Sequence, residues 1–334
     1  DVNNQIEFFN VREIPTAYIG GGTPSVLGKR ISVLLGALGK IPEFKPVEFT
    51  VEANPETASE DFLAACLDGG VSRLSLGVQT FHEPSRRAVN RRGNAANEQF
   101  ALASRYFPQA LSVDLITGLP YQDEKTVLDD INRVLMFDPA HISLYSLTLE
   151  EGTPLEKKLL DNAIILPEQD QADSLWLSAK DALLKAGFEH YEVSNFARAG
   201  KRCLHNIRYW QMEPWLGAGP SASGTITCDS SGTASRYTHP PDVKTYLETS
   251  FTNGFVTNAF ENALVEKLDK TAFLKETLLM GYRCKSGPNP KLFQTRFGRP
   301  IDWHIGKTLE RWKGRDIMLF LNGFLSEAFM ELVN

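Results

Sequence analysis

The chain has 334 residues, with hydrophobic side chains at 42%, charged ones at 23% and a formal net charge of -6. That length exceeds the ~100–200 residues usual for one domain; the mixed-sign charge excludes disordered and fibrous classes, and the acidic balance argues against general nucleic-acid binding. No run approaches the ~18–20 apolar residues that cross a bilayer, and Asp1-Val2-Asn3-Asn4-Gln5 lacks the basic and apolar regions of a signal peptide, so a cytoplasmic location is expected.

Short β-rich segments alternate with helical ones from the start of the chain. The first strand is expected at 16–20, followed by Gly20-Gly21-Gly22-Thr23-Pro24 and a helical stretch at 25–38. A second strand at 47–53 leads through Glu52-Ala53-Asn54-Pro55 to a helix at 59–69, with Ser59 as its N-cap and Glu60-Asp61 in the first turn. The strand at 71–78 ends at Gln79, and apolar residues three and four apart predict a helix over 83–107. Within it Arg86-Arg87 and Arg91-Arg92 offer either a receptor for a carboxylate-bearing ligand or a solvated helix face. Strands at 111–117 and 141–147, carrying Asp114 and Tyr145, flank a helix at 124–137.

Beyond Glu151-Gly152-Thr153-Pro154 come a helix at 169–187, a strand at 190–195 and the hexapeptide His205-Asn206-Ile207-Arg208-Tyr209-Trp210. A loop of small residues follows at 216–221, and from about Asn258 the chain reads as helical, with amphipathic stretches at 271–282 and 318–332. Cys66, Cys203, Cys228 and Cys284 form no CxxC pair, so each is expected to be a reduced, buried small hydrophobe. Alternating strand and helix units imply a parallel sheet with right-handed crossovers, and their even spacing favours an α/β fold that is an incomplete barrel. Ligands of such a sheet gather where its strands end.

Several residues at those ends have the right chemistry. Three glycines let backbone groups approach a ligand, yet they lack the GxGxxG and GK[ST] spacings, which disfavours a nicotinamide enzyme or an NTPase. Glu52 suits an ammonium or a ribose diol, Arg91 a carboxylate in bidentate fashion, and Asp114 a further hydroxyl. The hexapeptide packs an imidazole, an amide and two aromatic rings together, which fits either a flat metallocycle or a half-buried structural segment.

Taken in order, Tyr18-Ile19-Gly20-Gly21-Gly22-Thr23-Pro24-Ser25, Val51-Glu52-Ala53-Asn54-Pro55, Ser72 to Gln79, Asn90-Arg91, Asp114 to Pro120 and Ser143 to Leu147 resemble the radical S-adenosylmethionine (SAM) proteins related to oxygen-independent coproporphyrinogen III oxidase. Tyr191 to Ala197 and the HNxxYW hexapeptide look like the HemW branch, regarded as haem chaperones rather than oxidases. The resemblance implies a partial (β/α)6 barrel with a small, mainly helical C-terminal domain, arranged as a barrel over 1–150, an extension over 151–255 carrying the hexapeptide, and a helical domain over 256–334. It implies SAM contacts at Gly21, Gly22, Thr23, Glu52, Gln79, Arg91 and Asp114. It also implies a haem contact in which His205 ligates iron and Tyr209 or Trp210 stacks on the macrocycle.

Such proteins carry a CxxxCxxC triplet holding a [4Fe–4S] cluster upstream of the glycine motif. None of the 19 residues before Gly20 is cysteine, so the reading favours a truncated chain whose parent binds cluster and SAM, and reductive SAM cleavage is not expected of this polypeptide. The implied partners are haem or a porphyrin and a haem-accepting apoprotein, membrane-associated acceptors included. The competing expectation is an oxygen-independent coproporphyrinogen III oxidase that decarboxylates propionate side chains.

Overall fold

The computed structural model describes residues 1–91, 97–251 and 263–333. Arg92, of the paired arginines, and Asn258, at the start of the expected helical tail, lie outside the described residues. The chain divides into two compact units, Pro15–Cys203 and a second made of Asp1–Ile14 with Leu204–Asn334. The short helix α1 (Val2–Phe8) belongs to the second unit.

The first unit is built on β1 (Thr16–Ile19), β2 (Glu48–Ala53), β3 (Arg73–Gln79), β4 (Leu111–Thr117) and β5 (His141–Ser146). These five strands pair in sequence order and all in parallel, as the alternating units predict. The strand expected at 190–195 is instead a tight hairpin, β6 (Glu189–Glu192) and β7 (Asn195–Ala197), added antiparallel to β5 through β7. Val193-Ser194 turns the chain inside the expected strand, and six residues cannot signal by periodicity alone that they fold back on themselves. The result is a curled, mainly parallel half-barrel in a sheet of seven strands.

Period-two alternation gives the sheet two unlike faces. Phe49, Val51, Leu74, Leu76, Val113, Leu115, Ile142 and Leu144 point one way and are buried against helices. Those helices are α3 (Glu60–Asp68), α5 (Asn97–Tyr106), α6 (Glu124–Leu135) and α8 (Gln169–Lys185), which supply Phe62, Phe100, Ile131 and Leu183. Each such side chain contributes ~1.5–3 kcal/mol by leaving water. Facing the other way, and also buried, are Glu48, Thr50, Arg73, Ser75, Ser112, His141 and Ser143.

Helix boundaries follow local chemistry. Ser59 caps α3, its Oγ accepting from Phe62 N at 3.3 Å with Glu60 and Asp61 in the first turn. Ser59→Ala is expected to lower stability by about 1 kcal/mol and Ser59→Gly by only a few tenths, read from urea midpoints. The stretch expected at 25–38 opens with 3-10 turns over Pro24–Arg30, kinked where Gly28 adopts φ +52, and continues as α2 (Ile31–Leu38). The long helix expected at 83–107 is two, α4 (Glu83–Ala88) and α5. α7 (Pro154–Leu160) follows the expected turn at Gly152-Thr153.

The second unit holds α9 (Leu204–Trp210), the antiparallel strands β8 (Ser223–Cys228) and β9 (Thr233–Thr238), and α10 (Val243–Phe251). It continues with β10 (Leu264–Leu268), α11 (Lys270–Gly281), α12 (Pro290–Phe297), α13 (Ile301–Arg311) and α14 (Leu321–Val333). The expectation of helix throughout the tail is corrected by β10, which pairs antiparallel with β9. Its five residues alternate only weakly, and the partner that makes them a strand lies about 30 positions upstream. The helices that follow bury Phe273, Phe293, Phe297 and Phe324 in a core of their own. None of the four cysteines forms a disulfide, as expected, but Cys228 is exposed, which corrects the expectation that each is buried. No helix among the described residues is long and apolar enough to cross a membrane.

Candidate functional site

At the carboxyl ends of β1 to β5 the polar face of the half-barrel opens. Gly21 and Gly22 take φ +77 and +48 with open space where a Cβ would stand, so the loop after β1 needs glycine for its backbone. Gly20 is required for a different reason: a Cβ there would come within 2.9 Å of the Tyr18 ring and 3.0 Å of the Glu52 carboxylate. Thr23 is extended and precedes the 3-10 helix. Ser25 Oγ accepts from Asn54 N at 3.0 Å and bonds Thr57 Oγ1 at 2.6 Å, tying the glycine loop to the loop after β2.

Glu52 accepts from Tyr18 OH at 2.7 Å. Asp114, two strands away, accepts from Ser75 Oγ at 3.2 Å and faces Ser143 on β5. Burial pushes the Asp114 carboxyl up to about 6, against the pull of the Ser143 and Ser75 hydroxyls and with the help of the like charge on Glu52. Burial, and then the charges of Glu52 and Asp114, likewise hold Tyr18 protonated. Two carboxylates therefore share this face without a counter-charge acting on Asp114 among the described residues. Thr50 Oγ1 and Asn195 Oδ1 are buried here without a protein partner. A ligand carrying positive charge and hydroxyl groups satisfies such a set.

Gln79, at the end of β3, and Arg91 come together and line a cavity of about 340 Å³ with Ile116, Leu119, Leu147 and Thr153. Of the paired arginines, Arg86 is buried and bonds Glu56 at 2.8 Å, so it is neither a solvated face nor an open receptor; Arg87 is exposed and pairs with Glu83.

Deeper in the half-barrel, Arg73 Nε lies 3.4 Å from Glu48 Oε2 while its Nη2 donates to the carbonyls of Lys201 and Arg202 at 2.8 and 3.1 Å. Cys203 Sγ donates to Glu48 at 3.3 Å. His141 bonds Ser112 Oγ at 2.7 Å and Tyr191 OH at 2.8 Å, and burial, then the Arg73 charge, hold its ring neutral. This layer seals the floor beneath the open end.

The hexapeptide forms α9 in the second unit. His205 is half-buried; Tyr209 is exposed and packs on Trp215 with ring centroids 4.2 Å apart. Arg283 lies over the Trp210 ring at 4.9 Å, and Trp210 Nε1 is buried without an acceptor among the described residues. An imidazole on the same short helix as two aromatic rings has the chemistry that a haem calls for. The fit fails for the iron–sulfur cluster: among the described residues no three His, Cys, Asp or Glu side chains are grouped to hold a metal.

Tyr18, Ser75 and Ser143 lie in segments that carry the resemblance, yet the sequence reading assigned them no role in the site. A signal was present, since Ser75-x-Gly77, Ser112-x-Asp114 and His141-x-Ser143-x-Tyr145 place small or polar residues at every second position of strands that are otherwise apolar. Trp215 and Arg283 had none, because their approach to the hexapeptide is tertiary.

The class is that of the radical SAM superfamily, whose family model matches residues 1–134. The heme chaperone HemW of Lactococcus lactis is 32% identical over 297 residues, covering 88% of this chain and 75% of that protein. HemW of Escherichia coli is 33% identical over 68% of this chain and 60% of its own length, and the mitochondrial radical S-adenosyl methionine domain-containing protein 1 of Bos taurus is 34% identical over 83% and 63%. The solved coproporphyrinogen III oxidase HemN of Escherichia coli superposes with a TM-score of 0.71 at 19% identity, over 94% of this chain and 78% of that one, a likeness of fold. The chain belongs to the HemW family.

Proposed function

We propose that this chain is the greater part of a haem-binding chaperone that takes up haem and passes it to an apoprotein, membrane-associated acceptors included. The observation that carries the reading is α9, which sets His205 on the same short helix as Tyr209 and Trp210, with Trp215 packed on Tyr209. His205 is the iron ligand and the rings are the surface on which the macrocycle lies. Haem supplies the iron and the flat apolar surface; the protein supplies a nitrogen donor and ring contacts.

In the half-barrel, Gly21, Gly22, Thr23, Glu52, Gln79, Arg91 and Asp114 cradle SAM. Bound there, it supplies an adenosyl group on a sulfonium centre. Glu52 accepts from an ammonium or a ribose diol, Arg91 holds a carboxylate, and Asp114 accepts from a hydroxyl. The likeness to HemN extends to fold alone, so the oxidase reading has no observation of its own.

Titrating haem into the wild-type chain and into His205→Ala tests the chaperone reading. His205→Ala is expected to weaken binding by about tenfold or more and to shift the Soret band, since a nitrogen donor to the iron would be lost. Unchanged affinity together with an unchanged spectrum removes His205 from the site.

A further inference from the structure

Gln79 carries a Cβ yet sits at φ +68, where glycine is the usual occupant. Thr80 N donates to Val78 O across it at 2.9 Å, so residues 78–80 make a γ-turn of the rare, strained, positive-φ form. The strand is bulged at the same point: Gly77 pairs with Asp114, and Gln79 rather than Val78 pairs with Leu115. A Cβ on Gly77 would stand 3.1 Å from Gln79 Nε2, so the amide lies back over a residue that has no side chain.

Both carbonyls flanking Gln79 converge on one guanidinium. Arg86, only 3% exposed, places Nη1 3.4 Å from Val78 O and 3.2 Å from Thr80 O. Its Nη2 bonds Glu56 in the loop after β2, the strand that carries Glu52. From α6, Asp130 accepts from Thr80 Oγ1 at 2.5 Å and from Phe81 N at 2.8 Å, and Thr80 Oγ1 accepts in turn from His82 N at 3.0 Å. A buried cation and a buried carboxylate are costly unless bonded, and among the described residues most of their bonds go to Val78, Thr80 and Phe81, which make or follow the turn.

We infer that Arg86 is a positioning residue which, with Asp130, holds Gln79 in its left-handed turn and so fixes the side-chain amide at the cavity it shares with Arg91. The consequence for binding rests on the reading of Gln79 as a SAM contact; the turn and its bracket do not. Arg86 acts by clamping the two peptide groups on either side of the contact residue.

The test has two arms on the full chain. In urea unfolding, Arg86→Met is made in the wild type and in Gln79→Gly; glycine needs no holding at positive φ, so the midpoint loss in the Gln79→Gly background is expected to be about half or less of that in the wild type. Equal losses in both backgrounds overturn the inference. In calorimetry with S-adenosylhomocysteine as the probe, Arg86→Met is expected to weaken binding about tenfold, Arg86→Lys less, and Arg86→Met on top of Gln79→Ala by less than about twofold. Binding by the wild type that Arg86→Met leaves unchanged, or losses that multiply, also overturn it. A wild type that does not bind the probe removes the reading of the site, while the unfolding cycle still decides the turn. Should Arg86→Met not fold, Arg86→Lys and Asp130→Asn replace it in both arms.

Discussion

Arg73→Met is expected to cost about 3–5 kcal/mol of folding free energy, as removal of one partner from a buried ion pair does. Arg73 and Glu48 face each other with side-chain exposures of 9% and 8%. The methionine would leave the Glu48 charge buried without its guanidinium, beside the Cys203 thiol, and would strip the carbonyls of Lys201 and Arg202 of theirs. Two comparisons separate the buried charge from lost packing. The double variant Glu48→Gln/Arg73→Met should recover part of the loss, because no uncompensated charge remains. Arg87→Met, which breaks the exposed pair with Glu83, should change stability by less than about 1 kcal/mol. Urea midpoints of the four proteins decide the matter, and a loss for Arg73→Met no larger than that for Arg87→Met would show that the floor of the half-barrel is not held by this pair.

The second large effect is a pH dependence at Asp114. Its carboxyl is raised from 3.8 to about 6 in the folded chain, chiefly by burial. An acid raised on folding keeps its proton in the native state after the unfolded chain has lost its own, so the unfolded state binds fewer protons in that window. The contribution of Asp114 to stability is therefore greatest below 3.8, falls as the pH rises towards about 6, and stays reduced above it. The loss is at most ~3 kcal/mol, and less to the extent that water reaches the partly exposed carboxylate. Asp114→Asn has no proton to lose and still accepts from Ser75. Its stability relative to wild type should thus improve steadily between about pH 4 and pH 7, a difference that cancels the acid response of every other carboxylate. A constant difference across that range would mean that Asp114 ionises in the folded chain as freely as in water. If a cation occupies this face, adding it should flatten the wild-type curve, because the ionised carboxylate then has a counter-charge.

Much of the half-barrel is legible in the order of residues. Strands β1 to β5 fall within two residues of their expected positions because they are short β-rich runs, several of them closed by Gly, Pro, Asn or an acid, and Ser59 announces its helix by capping chemistry that is purely local. The same locality places Gly21, Gly22, Glu52 and Gln79 at or just after strand ends, since a parallel sheet brings all such ends to one side, whereas Asp114 sits in the middle of β4. What chain order does not contain is decided by partners far away in sequence. β10 is a strand because β9 pairs with it; the segment after Glu189 folds into a hairpin because β5 offers an edge; α1 joins the second unit because Gln5 finds Gly217 O and Tyr237 OH. Arg86 is the sharpest case. On the helix it is one of two adjacent arginines, indistinguishable by composition from Arg87 and suited to a solvated face. Only the packed structure separates them, burying Arg86 against two carbonyls and Glu56 and leaving Arg87 in water, because the energy of a charge is set by its surroundings rather than by its residue type.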